Sequence, residues 1–254
     1  MSIAGNESSR RIRAVVFDLD DTLYPEREYV RGGYRAVGRH LRDTYGCAVG
    51  FVRRTALFGE KADGDENPFA AWLWDRFRRG ESAGAFDALN HRFGLGLDEA
   101  RIAELVEVYR GHEPDIRPYE GVPRLLGRLR SGRRLGLLTD GYLPAQELKL
   151  KALRLDRFLD AVLFTERLGR DCWKPSPVGF ETVRGELDVP HAACAYVADN
   201  PAKDFVAPNA LGWRTIQFLR PDQIHAGNPA PAGGWAQHVV HDAGELVAAL
   251  NWRD

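Results

Sequence analysis

Apolar residues recur along this chain in two rhythms, and the change from one to the other divides it. Residues 13–19 (RAVVFDL) form a short β-branched run, which predicts a buried strand. The run stops at an acidic cluster, Asp18, Asp20 and Asp21, and then at Tyr24-Pro25. From Glu26 to about His112 the apolar positions take helical spacing. Tyr29, Tyr34, Val37, Leu41 and Tyr45 mark one segment, and Ile102, Leu105, Val106 and Tyr109 another. Between them lie a polar break from Gly59 to Asn67 and an aromatic helix around Trp72, Trp74 and Phe77, read as core rather than as a binding shelf.

After Pro118 helix and strand alternate. Helices are expected near 122–130, 145–153, 178–187 and 202–211, with strands at 135–139, 161–164, 193–198 and 215–218. A Pro-, Gly- and Ala-rich loop over 220–234 precedes a last strand, 238–240, and a closing helix, 243–250. Such alternation implies right-handed crossovers and an α/β fold: a doubly wound parallel sheet of the Rossmann type, with helices on both faces. The helical stretch has no strand of its own and must bury its apolar stripe within itself. Residues 1–23 with 116–254 are therefore expected to form the catalytic core, and 24–115 an inserted helical cap.

Composition narrows the class. At 254 residues and 44% hydrophobic content the chain can build a full core. Lys and Arg number 35 against 36 Asp and Glu, which gives no basic excess for nucleic acid or a membrane surface. Cys47, Cys172 and Cys194 are few and far apart, with no C-x-x-C pair, as suits a reducing compartment. Residues 1–10 lack a signal-peptide apolar stretch, and no apolar run nears the length of a membrane span. The expectation is a cytoplasmic protein; oligomeric state is left open.

Three predicted strands end in polar residues: Asp18-Leu19-Asp20-Asp21-Thr22, Thr139-Asp140-Gly141 and Asp199-Asn200-Pro201. In a doubly wound sheet such ends converge on one crevice, where ligands bind. Lys174, in Trp173-Lys174-Pro175, would join them from the same edge. Gathered carboxylates repel one another and call for a cation. Oxygen ligands without a His/Cys cluster favour Mg²⁺ over zinc. Of Asp18 and Asp20, one can attack phosphorus while the other handles the leaving-group proton. Lys174 and the Thr139 hydroxyl would meet the phosphoryl oxygens.

These residues resemble the haloacid dehalogenase superfamily. Its Asp-x-Asp-x-Thr motif stands here as Asp18 to Thr22, its second-motif Thr as Thr139, its third-motif lysine as Lys174 and its fourth-motif acids as Asp199 and Asp204. Ala198 departs from the Gly that many members carry before the last motif. The resemblance covers about 11–23 and 117–250 and implies a capped phosphatase. Asp18 would be the nucleophile, with Asp20, Thr139 and Lys174 also catalytic. Thr139, Asp140, Gly141 and Lys174 would hold phosphate, and Asp18, Asp20 and Asp199 would hold Mg²⁺. Asp204 and Asn200 would support them, and Tyr24 and Glu26 would meet the substrate, a small-molecule phosphate ester such as a sugar phosphate. A phosphomutase, a 2-haloacid dehalogenase and a catalytically idle phosphate-binding module are the alternatives. Asp20 speaks against the dehalogenase, since halide leaves without a proton.

Overall fold

The computed structural model describes residues 11–45 and 67–251. Residues 1–10, Cys47 and most of the polar break lie outside that range, as does the side chain of Tyr45. The chain divides into two compact units, Met1–Arg27 with Ile116–Asp254, and Glu28–Asp115.

The first unit carries a sheet of six parallel strands: β1 (Ala14–Phe17), β2 (Arg134–Thr139), β3 (Ala161–Phe164), β4 (Cys194–Ala198), β5 (Arg214–Phe218) and β6 (His238–Val240), in the order β3-β2-β1-β4-β5-β6. The expected doubly wound α/β fold is what the chain forms. Every residue of β1 and of β4 is buried, which accounts for their unbroken apolar runs. Beneath the strands Phe180, Tyr196 and Trp213 pack edge to face, with ring centroids 4.9 and 5.6 Å apart. Parallel pairing sets the functional ends level. Phe17 aligns with Leu137 on one side and Val197 on the other, so Asp18 stands within one residue of both Thr139 and Asp199. The chain leaves β1 toward β2 and β3, then crosses to β4 on the opposite side. That reversal is the switch point at which such sheets open a crevice.

Element ends follow local chemistry, and two departures bear on function. Residues 202–205, expected to open a helix, form a turn instead, and the helix is only Val206–Ala210. Asp204 folds back to accept the Asn200 amide, at 2.9 Å, so this stretch serves the site rather than the helix. The loop after β5 was expected as a plain connection, yet Gln223 and Ile224 bond back to Asp21.

In the second unit, residues Glu26–Tyr45 (α1, which begins in the first unit), Pro68–Arg78 (α2), Ala85–Phe93 (α3) and Glu99–Gly111 (α4) are helical. Helix α3 escaped the sequence reading; it is bounded by Gly84 and Gly94 and has no capping side chain at its start. Asn67 caps α2 by accepting the amides of Phe69 and Ala70, and Pro68 starts it. Val37, Leu41, Phe69, Leu73 and Leu89 are fully or almost fully buried in a core of this unit's own. Trp72, Trp74 and Phe77 pack on its flank, half-buried; Trp72 meets Phe93 edge-on at 5.8 Å, and Trp74 stacks on Phe77 at 5.3 Å. No helix among the described residues is long and apolar enough to cross a membrane.

Candidate active site

Asp18 follows the last residue of β1, and its amide donates to the Val197 carbonyl at 2.9 Å, so the sheet ladder still holds its backbone. Its carboxylate meets the Lys174 ammonium at 2.6 Å. The same ammonium lies 2.8 Å from Asp204 Oδ1 and donates to the Tyr196 hydroxyl at 3.0 Å. Only 1% of the Lys174 side chain is exposed, so its charge acts with little solvent screening. Burial opposes that charge, but Asp18 and Asp204 outweigh it and hold Lys174 firmly protonated.

One lysine cannot balance the carboxylates around it. Oxygens of Asp18, Asp199 and Asp204 lie within 4.8 Å of one another, and all three residues are buried. Burial raises Asp18 to about 7; Lys174 resists the shift and Asp204 adds to it. Asp199 is likewise pushed well above the ordinary carboxylate range, by burial and then by Asp204 and Asp18. Its Oδ2 is buried without a hydrogen-bond partner, while Asp204 Oδ2 takes the Asn200 amide. A hard divalent cation would satisfy both the surplus charge and the bare oxygen, so these residues fit Mg²⁺.

Asp20 is not part of that cluster. Its Oδ1 accepts from Lys149 at 2.8 Å and from the Tyr24 hydroxyl, and its Oδ2 from Gln146 at 2.9 Å. Burial would raise its carboxyl, but Lys149 and these hydrogen bonds win and hold it below the ordinary range. The expectation that Asp20 offers its side chain to the metal is therefore corrected: that carboxylate is committed to three protein donors.

Asp140 is corrected as well. Its Oδ1 accepts from Thr165 Oγ1 at 2.8 Å and from the Lys174 amide at 3.2 Å, and its Oδ2 pairs with Lys203 at 3.3 Å. Burial is overcome by Lys174 and Lys203, so the group stays anionic. That carboxylate does not hold phosphate, which leaves the backbone amide of Asp140 for the expected contact. Asp140 instead braces the loop that delivers Lys174. Gly141 has φ 136°, and a Cβ there would collide with the Gln146 amide, so its glycine serves the backbone. Thr139 ends β2 at the level of Asp18, 1% exposed.

Tyr24 is fully buried and reaches Asp20, which removes it from the substrate contacts. The Glu26 amide donates to Asp21 Oδ1 at 2.8 Å, and the Glu26 carboxylate, with a quarter of the side chain exposed, stands 3.7 Å from His225. Burial, with Asp20 and Asp21 adding, raises Glu26 to about 8. Asn200 shapes the turn after β4, accepting from the Ala202 amide at 3.1 Å and from Asn228 at 3.2 Å.

Sequence reading missed Gln146, Lys149, Thr165, Tyr196 and Lys203. Two of them left a signal. Helix α6 (Ala145–Leu153, after α5 at Val122–Arg130) buries Ala145, Gln146, Lys149, Leu150 and Leu153, so Gln146 and Lys149 stand on its apolar face. Polar groups so placed need partners. Tyr196 sits inside an apolar strand and left none.

With Asp199 and Asp204 both beside Lys174 but bonded differently, their substitution should separate. Asp199→Asn is expected to weaken Mg²⁺ binding more than Asp204→Asn, because Asp204 already has Lys174 and the Asn200 amide as partners. Calorimetric titration with MgCl₂ ranks the two, and the reverse order would exchange their roles.

The chain matches the family model described as haloacid dehalogenase-like hydrolase over residues 12–212. It is 28% identical to a glyceraldehyde 3-phosphate phosphatase of Methanopyrus kandleri over 213 residues, 82% of this chain and 84% of the relative. It is 26% identical to a phosphoserine phosphatase of Thermus thermophilus over 256 residues, 91% of this chain and all of the relative. Among solved structures, the magnesium-bound HAD-hydrolase YfnB of Bacillus subtilis superposes with a TM-score of 0.65 at 18% identity, covering 95% of this chain and 100% of that one. The identity is low, and the likeness is one of fold.

Proposed function

The chain belongs to the haloacid dehalogenase-like hydrolases and is a phosphatase of a small phosphorylated metabolite; we propose that it is Mg²⁺-dependent and works through an aspartyl phosphate on Asp18. The observation that carries this reading is the Lys174 ammonium, 2.6 Å from Asp18 and 2.8 Å from Asp204, beside the bare Oδ2 of Asp199. A carboxylate held by one cation, with surplus negative charge around it, is arranged to accept a second cation and a phosphate dianion.

Asp18 and Asp199 would hold Mg²⁺, with Asp204 behind them. When bound, the ion supplies Lewis-acid stabilisation of phosphoryl charge and offsets repulsion between the Asp18 carboxylate and the incoming phosphate. The Asp18 oxygen attacks phosphorus as the bond to the leaving oxygen breaks. Asp20, a carboxylate at rest that must first take up a proton from solvent, gives that proton to the leaving oxygen. Water then attacks the aspartyl phosphate. Asp20 takes the water's proton as the Asp18–phosphorus bond breaks, which restores both carboxyls. Lys174 and the Thr139 hydroxyl meet the charge on the phosphoryl oxygens. Residues 28–115 are assigned the choice of substrate: they have a core of their own, and the catalytic residues all belong to the other unit.

The relatives' names suggest the panel for a first test. Phosphate release should be measured from glyceraldehyde 3-phosphate, phosphoserine, sugar phosphates and p-nitrophenyl phosphate. Turnover is expected with MgCl₂, should cease with EDTA and should return on adding Mg²⁺. Full activity in chelated, metal-free protein would overturn the mechanism.

A further inference from the structure

Two ligands on neighbouring strands hold an ion well only if the turns that carry them keep their spacing. Asp18 and Asp199 follow β1 and β4, and the closer their carboxylates stand the more they repel. The pairing of β4 with β5 ends at Ala198 and Gln217, one residue short of Asp199. Past that point the Asp199 carbonyl takes a side chain. Gln217 Nε2 donates to it at 2.9 Å and to the Ala226 carbonyl at 2.9 Å, so one carboxamide joins the Asp199 turn to the loop after β5. Asn228, further along that loop, donates to Asn200 Oδ1 at 3.2 Å.

The same loop reaches the other turn. Gln223 Nε2 donates to the Asp21 carbonyl at 2.6 Å and to the Phe218 carbonyl at 2.8 Å, and its Oε1 accepts the Arg220 amide at 2.8 Å. Both N–H groups and the oxygen are engaged, which fixes the orientation of the amide. The Ile224 amide donates to Asp21 Oδ2 at 2.6 Å. Asp21 is fully buried and lies in the left-handed region, at φ 54°, a conformation that a residue with a side chain keeps only when its surroundings hold it there.

We propose that Gln217 and Gln223 are positioning residues of the Mg²⁺ site. Together they strap the loop over 220–228 across the turns after β1 and β4 and set the spacing of Asp18 and Asp199 before an ion arrives. Gln217 acts through the backbone of Asp199, and Gln223 through that of Asp21. Ligands ordered during folding need less ordering on binding, which raises affinity. Mg²⁺ gains more from this than Ca²⁺, because it demands near-ideal geometry whereas Ca²⁺ accepts a larger and more flexible oxygen shell.

The inference rests on the reading of Asp18 and Asp199 as Mg²⁺ ligands, and calorimetric titration of the full chain with MgCl₂ and with CaCl₂ separates the two. Gln217→Met and Gln223→Met keep the side chain's length and remove its N–H donors. Each should weaken Mg²⁺ binding by about 10-fold or more and Ca²⁺ binding by less, so that selectivity for Mg²⁺ falls. The double variant should lose less than the product of the single losses, because either break already frees the shared loop. A residue that only supports the fold would lower the melting temperature and leave the Kd of the folded protein as it was. Unchanged Mg²⁺ affinity in the folded variants would overturn the proposal, with the Mg²⁺ reading still standing. Equal losses of both ions, or single losses that multiply in full, would overturn it too. If neither Met variant folds, Asn228→Ala decides: this half-buried loop residue gives up its bond to Asn200, and Mg²⁺ affinity should fall in the same direction by less. No fall there sinks the strap. A parent protein that binds no Mg²⁺ would sink the Mg²⁺ reading, and this inference with it.

Discussion

Asp18→Asn is expected to lower phosphatase turnover by roughly 10³-fold or more while leaving the protein folded. The amide is a poor nucleophile, and no other carboxylate stands in the same place at the end of β1, 2.6 Å from Lys174. The stability side of this prediction follows from the shifted group. A carboxyl raised from 3.8 to about 7 by burial favours folding below its unfolded value. That contribution is lost as pH rises through 7, so at pH 8 its charge destabilises the metal-free fold. Asn removes the charge, and the variant's metal-free melting temperature at pH 8 should equal or exceed the parent's. Phosphate release and thermal melting together check both halves. A variant that retains a tenth of the parent's turnover would show that the nucleophile lies elsewhere, and one inactive because it is unfolded would void the explanation.

Lys174→Met should damage both activity and stability. The ammonium is sealed among Asp18, Asp204 and the Tyr196 hydroxyl, and its removal leaves buried carboxylates without their counter-charge. Breaking a buried pair in this way costs about 3–5 kcal/mol. Losing a preorganised donor to phosphoryl oxygen costs about 10²–10³-fold in rate. Lys203→Met supplies the contrast. That lysine keeps 36% of its side chain exposed and stands 3.3 Å from Asp140, so its removal should shift stability by less than about 1 kcal/mol. Urea unfolding of parent and variants at one pH gives the comparison. If the Lys174 and Lys203 variants lose equally little, the charge balance drawn around Lys174 is wrong.

Much of this protein could be read from residue order alone. The β-branched run of β1 and the alternation after Pro118 determined an α/β sheet, because strand and helix periods differ and parallel strands need helical crossovers. Polar residues closing three strands determined where the chemistry would gather, since parallel strands bring their carboxyl ends to one edge. Periodicity and strand ends are local properties, and sequence carries them directly. Which donor reaches which oxygen is not local. Asp20 is separated by 126 and 129 residues from Gln146 and Lys149, and only folding shows that α6 turns those two toward it. The same holds for Asp140, which resembles a phosphate ligand beside Thr139 until Thr165, Lys174 and Lys203 are seen to occupy it. Tyr24 followed the first motif as a substrate contact would, and tertiary packing turned it inward to Asp20. Sequence determined that Asp18, Lys174, Asp199 and Asp204 would meet; only the tertiary structure brought Lys149, Tyr196 and Lys203 among them and decided how the groups share charge, because that depends on distances of a few ångströms between elements far apart along the chain.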